Sequence, residues 1–330
     1  MKKVQLGRSD VYVTPVTFGA WAIGGWMWGG ADEKDAIEAL ETSLDLGISS
    51  IDTAPIYGFG LSEELVGKAI RGKRDKVEIL TKYGMRWEGE KGEFYFESVH
   101  NDGHPVRIYK YASRDSVIAE CEDSLRRLNT DYIDLYQIHW PDSTTPIDET
   151  MEAVDRLMQQ GKVRAAGVCN YDATLSRKAN ETIRLASVQV PYSMVRRDIE
   201  DSLVPWCREE NVSILAYSPL QRGLLTGKIT PGYEFGEGDN RPSTPYFQPG
   251  NLQKVNAFLE EIRPIADEKN ATLSQLVLAW TIAQPGITVA LAGARNRKQV
   301  EDNAGAMELR LSRKDIEEIT AKLDKLELDI

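Results

Sequence analysis

The sequence predicts an α/β fold: a single (β/α)8 TIM barrel with an N-terminal β-hairpin plug and extra C-terminal helices. Three observations carry this prediction. Eight β-branched, apolar runs alternate with helical stretches along the 330 residues, and no linker-like composition divides them into separate units. The first buried run, Val16 to Gly19, leads into Gly24-Gly25-Trp26-Met27-Trp28-Gly29-Gly30, which fits neither G-x-G-x-x-G nor the Walker spacing. That mismatch weakens the competing doubly wound sheet. Polar residues also recur at the ends of successive strands, where a barrel places its chemistry.

The elements follow in order. Val4 to Leu6 and Val11 to Val13 flank the turn formers Gly7-Arg8-Ser9-Asp10, giving the hairpin that plugs one end. After the strand Val16 to Gly19, Asp32 caps a helix that runs to about Leu46 and ends at Gly47, and a second strand surrounds Ile51. Ser62 opens a helix to about Ile70, Val77 to Lys82 is the third strand, Ser113 opens a helix to Leu128, and Tyr132 to His139 is the fourth strand. Ile147 to Gln160 is helical with Gly161 at its end, and Val163 to Cys169, Ser187 to Val190 and Val212 to Ser218 are strands five to seven. Leu220 to about Gly250 is a Gly- and Pro-rich loop whose length implies a function. Helices from about Leu252 to Lys269 and from Leu273 to Ala283 precede the eighth strand, Thr288 to Leu291. Gln299 and Ser312 belong to closing helices.

Composition narrows the function. With 42% hydrophobic and 28% charged residues the chain reads as a soluble globular protein. No apolar run reaches a membrane span, and the start lacks the apolar core of a signal peptide, so a cytoplasmic protein is expected. The net charge of -11 repels nucleic acid and requires a local basic pocket for any anionic cofactor. Cys121, Cys169 and Cys207 lack C-x-x-C spacing and are expected to be reduced, buried thiols.

The candidate site centres on Ile51-Asp52-Thr53-Ala54-Pro55-Ile56-Tyr57-Gly58. Asp52 ends strand two, Tyr57 follows it, Lys82 ends strand three and His139 ends strand four. Consecutive strand ends are neighbours in a closed barrel, so the four side chains are expected to converge. Their types suit one another. A tyrosine hydroxyl is a weak acid, with a pKa near ~10, and a nearby ammonium stabilises its anion. Lys82 can supply that ammonium, Asp52 can hold it charged, and His139 can hydrogen-bond a carbonyl oxygen or join a proton relay. Such a site polarises a carbonyl and protonates the developing alkoxide, and it needs a hydride donor.

These residues resemble the catalytic tetrad of the aldo-keto reductase superfamily. The similarity extends through Tyr57-Gly58-Phe59-Gly60-Leu61-Ser62-Glu63, through Leu125 to Tyr136, and through Gly161-Lys162-Val163-Arg164 with Gly167-Val168, over nearly the whole chain. It is nearest the bacterial NADP-dependent reductases of the general-stress type. The resemblance implies one barrel domain over residues 1–330, acting as a monomer on a small-molecule carbonyl substrate, with NADP (NADPH) bound in extended form. It also implies Asn170 and Gln189 at the carboxamide, Tyr217 stacked on the nicotinamide, and Ser218, Pro219, Leu220, Gln221, Gly223 and Lys228 beside the pyrophosphate. Gly293, Ala294, Arg295, Gln299, Asp302 and Asn303 would hold the adenosine end. Arg295 and Lys228, with Arg241 as a third cation, are expected to favour a 2'-phosphate. Trp21 is assigned to both cofactor and substrate, and Trp87 and Trp140 to the substrate mouth.

Departures from the family pattern are Cys169, where a serine is usual before Asn170, Ala20 in place of threonine, and the long segment Gly84 to Ala112. His100-x-x-x-His104 with Asp102 between is not read as a metal site, because helical context and a firm third ligand are lacking. The segment is expected to shape substrate access. The leading expectation is an NADPH-dependent reductase with Tyr57 as proton donor. The alternatives are a cofactor-sensing subunit with vestigial activity, like relatives that attach to ion channels, and a Schiff-base aldolase using Lys82.

Overall fold

The computed structural model describes residues 2–27, 32–236 and 239–330. The last part of the glycine-rich loop, Trp28-Gly29-Gly30, lies outside them. β1 (Val4–Gln5) and β2 (Tyr12–Val13) form the antiparallel hairpin, and β3 (Val16–Gly19) leads through α1 (Glu33–Asp45) to β4 (Ser50–Asp52). α2 (Leu61–Ala69) and β5 (Glu78–Tyr83) follow, then β6 (Met85–Arg86), β7 (Glu93–Val99) and β8 (Pro105–Lys110). The chain continues with α3 (Arg114–Leu128), β9 (Ile133–Ile138), α4 (Ile147–Gln159), β10 (Val163–Cys169), α5 (Ala173–Thr182), β11 (Ser187–Pro191), α6 (Leu203–Glu210) and β12 (Ser213–Tyr217). α7 (Pro249–Glu268), α8 (Leu273–Ala283), β13 (Ile287–Gly293), α9 (Arg297–Gly305) and α10 (Arg313–Leu323) complete the described elements.

β3, β4, β5, β9, β10, β11, β12 and β13 pair in parallel in that order, and β13 returns to β3, so the barrel closes. Strand side chains alternate between inside and outside, and the interior is layered accordingly. Leu80, Leu135, Ala165, Leu215 and Val289 pack together inside, against Leu6, Val11 and Val13 of the hairpin, which therefore plugs that end as expected. Two residues further along β5 and β9, in register with each other, stand Lys82 and Gln137. An apolar layer thus supports a polar one. Tyr136 and Ile138 face outward into the helices, with Val117, Cys121 and Val154.

Local signals explain the boundaries. The Asp32 side chain accepts from the Asp35 N–H at the start of α1, as its residue type predicts. The sequence places Ser62 at the start of α2. The helix begins one residue earlier, behind Gly60, and the Ser62 hydroxyl instead bonds Ala20 O and Thr53 Oγ1, each at 2.9 Å. The segment after Lys82 is a three-stranded antiparallel sheet in the order β6-β8-β7. It stands beside the carboxyl ends of the barrel strands. Among the described residues, no helix is long and apolar enough to cross a membrane.

Candidate active site

Asp52 and Lys82 meet first. Lys82 Nζ donates to Asp52 Oδ1 at 2.6 Å and to the Thr53 carbonyl at 2.9 Å, and the Lys82 side chain has no exposed surface. The other carboxylate oxygen, Asp52 Oδ2, accepts from Gln189 Nε2 at 2.8 Å and from Gln137 Nε2 at 3.4 Å. Four polar side chains from β4, β5, β9 and β11 therefore satisfy one another inside the barrel. Gly167, in register with Gln137, leaves room for that amide, since a Cβ there would lie 2.9 Å from Gln137 Cγ.

Tyr57 is brought over this cluster by a tight turn. A Cβ on Gly58, whose φ is +67°, would lie 2.2 Å from Gly24 O, and one on Gly24 would lie 2.6 Å from Tyr57 O. The two backbones can touch only because both positions are glycine. The result sets the Lys82 ammonium 5.0 Å from the centroid of the Tyr57 ring, where its charge and hydrogen bonding act on the Tyr57 hydroxyl. His139 packs edge-on against the same ring, with centroids 5.6 Å apart at 82°. The four residues expected to converge do so.

The protonation states follow from burial and charge. Burial pushes the Tyr57 hydroxyl up to about 12, outweighing the downward pull of Lys82. The ammonium by itself, the only influence the sequence discloses, would lower the value; burial reverses the sign. For Lys82, burial favours the neutral amine, but Asp52 and then Tyr57 more than compensate, and the group is held protonated. Burial, aided by the Lys82 charge, holds His139 well below the usual histidine range and therefore neutral. Cys169, at the end of β10, is pushed upward by burial and stays a thiol.

One cavity of about 550 Å³ opens over the cluster, lined by Asp52, Tyr57 and His139 and also by Tyr217, Arg295 and Asn303. Lys82 lies behind the lining. Of the remaining residues expected at the cofactor, Trp21, Asn170, Gln189, Ser218, Pro219, Leu220, Gly223, Lys228, Arg241, Gly293, Ala294, Gln299 and Asp302 also line it. Gln221 does not. Its side chain turns inward, where Oε1 accepts from Ser193 Oγ at 3.2 Å. Trp140 lines the mouth, whereas Trp87 packs edge-on against Phe59, 5.5 Å between centroids, outside the lining. Met85, Tyr95 and Phe96, from the segment expected to shape substrate access, and Trp26, from the glycine-rich loop, also line the cavity, though sequence reasoning singled out none of them by residue; Arg222 and Tyr233 it missed altogether. The run of three consecutive aromatics, Phe94-Tyr95-Phe96, is the available signal for the β7 part of the wall.

Asn170 ties the floor to the wall. Its Nδ2 donates to His139 O, and its Oδ1 accepts from the Tyr217 hydroxyl, both at 2.9 Å. Both amide groups retain further hydrogen-bonding capacity. Among the described residues, nine non-glycine positions have positive φ: Asn129, Asn211 and Asn270 at helix ends, and Met27, Phe59, Asn170, Ser218, Gln221 and Arg222 around this cavity. Strained backbone thus gathers at the site. Toward the Arg295 end, Lys228 Nζ stands 3.6 Å from Asp302 Oδ2, and the Arg295 N–H donates to Gln299 Oε1 at 2.8 Å.

Residues 15–324 match the sequence model of the aldo/keto reductase family. Aldo-keto reductase YhdN of Bacillus subtilis is 38% identical over 304 residues, covering 91% of this chain and 87% of that protein. An Escherichia coli protein named NADH-specific methylglyoxal reductase is 38% identical over 318 residues, covering 94% and 95%. Among solved structures, the glycerol dehydrogenase AKR11B4 from Gluconobacter oxydans superposes with a TM-score of 0.87 at 36% identity, covering 98% of this chain and 95% of that one.

Proposed function

The chain belongs to the aldo/keto reductase family, and from that premise we propose that it reduces aldehyde or ketone carbonyls to alcohols with NADPH as hydride donor and Tyr57 as proton donor. The observation that carries this reading is the Asp52–Lys82–Tyr57–His139 cluster at the floor of an open cavity. A bound nicotinamide supplies the hydride. Tyr57, whose proton is retained, gives that proton to the oxygen that becomes the alcohol. Lys82, charged and aimed by Asp52, stabilises the tyrosinate left behind. Neutral His139 can donate a hydrogen bond to the same substrate oxygen.

The cavity lining supports a dinucleotide. Asn170 and Gln189 offer amides beside Tyr57, Tyr217 offers an aromatic face, Ser218 to Leu220 offer backbone groups, and Asn303 and Arg295 offer an amide and a cation in the same lining for the adenosine end. We take Arg295 and Lys228, with Arg241, as the cations that favour NADPH over NADH through a 2'-phosphate. We propose further that residues 1–330 act as one barrel domain, as a monomer in the cytoplasm, on small carbonyl compounds entering past Trp21 and Trp140.

A carbonyl panel that includes methylglyoxal and glyceraldehyde, run with NADPH and NADH at equal concentration, tests the proposal through loss of the reduced cofactor. Steady turnover with preference for NADPH is expected. A single round of cofactor oxidation without turnover would point instead to a cofactor-sensing role. Arg295→Ala should weaken NADPH binding by about ten-fold, the effect of losing one charge-assisted contact of ~1.4 kcal/mol, and leave NADH binding unchanged. Equal affinity of variant and wild type for NADPH contradicts the assignment of Arg295.

A further inference from the structure

Histidine is rare in this chain. Two of its three histidines, His100 and His104, meet at the tip of the β7–β8 hairpin. The turn that joins them is closed by two backbone hydrogen bonds of 2.9 Å, His100 N–H to His104 O and Gly103 N–H to His100 O. Gly103, at φ +92°, supplies the left-handed position the turn requires. The imidazoles face each other across the turn, with centroids 4.6 Å apart and planes inclined by 21°. Between them, Asp102 Oδ1 lies 3.2 Å from His100 Nδ1 and 2.5 Å from His104 Nδ1. His100 Nδ1 is shielded from solvent and has no aligned hydrogen-bond partner among the described residues. The three donor atoms all lie within 4.8 Å of one another.

We propose that His100, Asp102 and His104 form a binding site for one divalent transition-metal ion of the zinc class. Imidazole nitrogens and carboxylate oxygens bind zinc at roughly 2.0–2.2 Å in tetrahedral geometry, which separates neighbouring donors by about 3.3–3.6 Å. The His100–Asp102 separation of 3.2 Å is close to that range, and the 2.5 Å between Asp102 and His104, a hydrogen-bonded contact, opens by about 1 Å when an ion takes the place of the shared proton. Small rotations of the rings about the soft torsion next to the imidazole turn the two lone pairs toward one centre. Two imidazoles and a carboxylate form a donor set for such ions, and the exposure of Asp102 and His104 leaves the remaining positions to water. The sequence reading required a helix to bring i and i+4 histidines together. A tight β-turn does the same by making them cross-strand neighbours.

The location gives the site a consequence. Asn101 Nδ2 donates to Gly58 O at 2.7 Å, the His100 ring lies 4.5 Å from the Phe59 ring, and Trp26 Nε1 donates to Ser98 Oγ at 2.9 Å. The tip is therefore fastened to the turn that follows Tyr57, while Tyr95 and Phe96 of the same hairpin line the cavity. An ion at the tip braces the hairpin against that turn. This site rests on the hairpin geometry and is independent of the reductase reading.

The test is titration of the chelator-stripped, full-length protein with zinc, in competition with a zinc-binding dye, together with amide hydrogen exchange with and without zinc. Wild type is expected to take up one zinc per chain and to exchange more slowly over residues 97–105. His100→Ala and His104→Ala should each weaken uptake by at least about ten-fold, and the double variant, with an unchanged circular dichroism spectrum, should lose both effects. Absence of saturable uptake by wild type overturns the proposal and leaves a hydrogen-bonded His–Asp–His turn. Uptake of equal affinity and stoichiometry by the double variant overturns it as well, because zinc then binds elsewhere.

Discussion

Lys82 holds a full charge with none of its side chain exposed, a placement that costs several kcal/mol of desolvation unless the charge is paired and its protons are bonded. Asp52 Oδ1 and Thr53 O meet both needs, and Gln137 and Gln189 hold the carboxylate from its other oxygen. The same low-polarity surroundings push Tyr57 up to about 12 and hold His139 below its ordinary range. A raised tyrosine value means that the protonated donor persists as pH climbs, and is lost only near the raised value. The rate of carbonyl reduction at saturating cofactor should therefore show no downward limb near pH ~10, where an ordinary tyrosine ionises. A fall centred at or below that pH would show that burial does not govern Tyr57. The residue types were legible because each ends a strand whose pattern is plain. The net direction of the Tyr57 shift was not, because burial depends on neighbours such as Trp21, stacked 6.1 Å from its ring, that strand patterns do not disclose.

At the scale of elements, α3 is tied to the site by Glu120, which is 3% exposed. Its Oε2 accepts from the Gly84 N–H at 3.0 Å, two residues past Lys82, and its Oε1 accepts from Ser116 Oγ at 3.0 Å. Burial pushes its carboxyl from 4.5 up to about 7, against the opposing pull of Arg86. Below the unfolded value both states are protonated and the group's full contribution is present. As pH rises through about 7 the unfolded chain is already ionised, and stability is lost by up to ~3 kcal/mol. Glu120→Gln should therefore be the more pH-independent protein, gaining on wild type between about pH 5 and pH 8 in denaturant unfolding. Parallel pH dependence of the two would contradict this. The barrel strands were legible as apolar runs bounded by turn formers, and α1 by its Asp32 cap. The β6–β8 sheet was not, because the three consecutive aromatics Phe94, Tyr95 and Phe96 break the apolar–polar alternation of β7, a shift in register falls between Phe94 and Phe96, and β7 buries neither face fully. The segment's part in shaping access was legible, but without the sheet its lining residues Met85, Tyr95 and Phe96 could not be told from Trp87, which packs against Phe59 outside the lining.

The whole molecule carries a net charge of -11, yet the proposed cofactor is a polyanion. Its binding must rest on local cations and backbone groups rather than on the overall field, and Arg295, Lys228 and Arg241 line the cavity. Because the lining is drawn from both ends of the chain, Gly19 to Asn303, bound cofactor should stabilise the barrel as a unit. NADPH at about 100 times its dissociation constant is expected to add ~2.7 kcal/mol to the unfolding free energy, read as a rise in melting temperature. A melting temperature that does not move would count against the cavity as its site. The choice between NADPH and NADH was not legible in the pattern of strands, since it turns on where a few long side chains end, and one relative is named NADH-specific. The central claim is that the Tyr57 hydroxyl supplies the proton, and Tyr57→Phe tests it most directly because it removes one oxygen and keeps the ring against Trp21 and His139. The variant should bind NADPH as tightly as wild type and lose carbonyl turnover by at least about 100-fold; turnover at the wild-type rate without that hydroxyl would contradict the account.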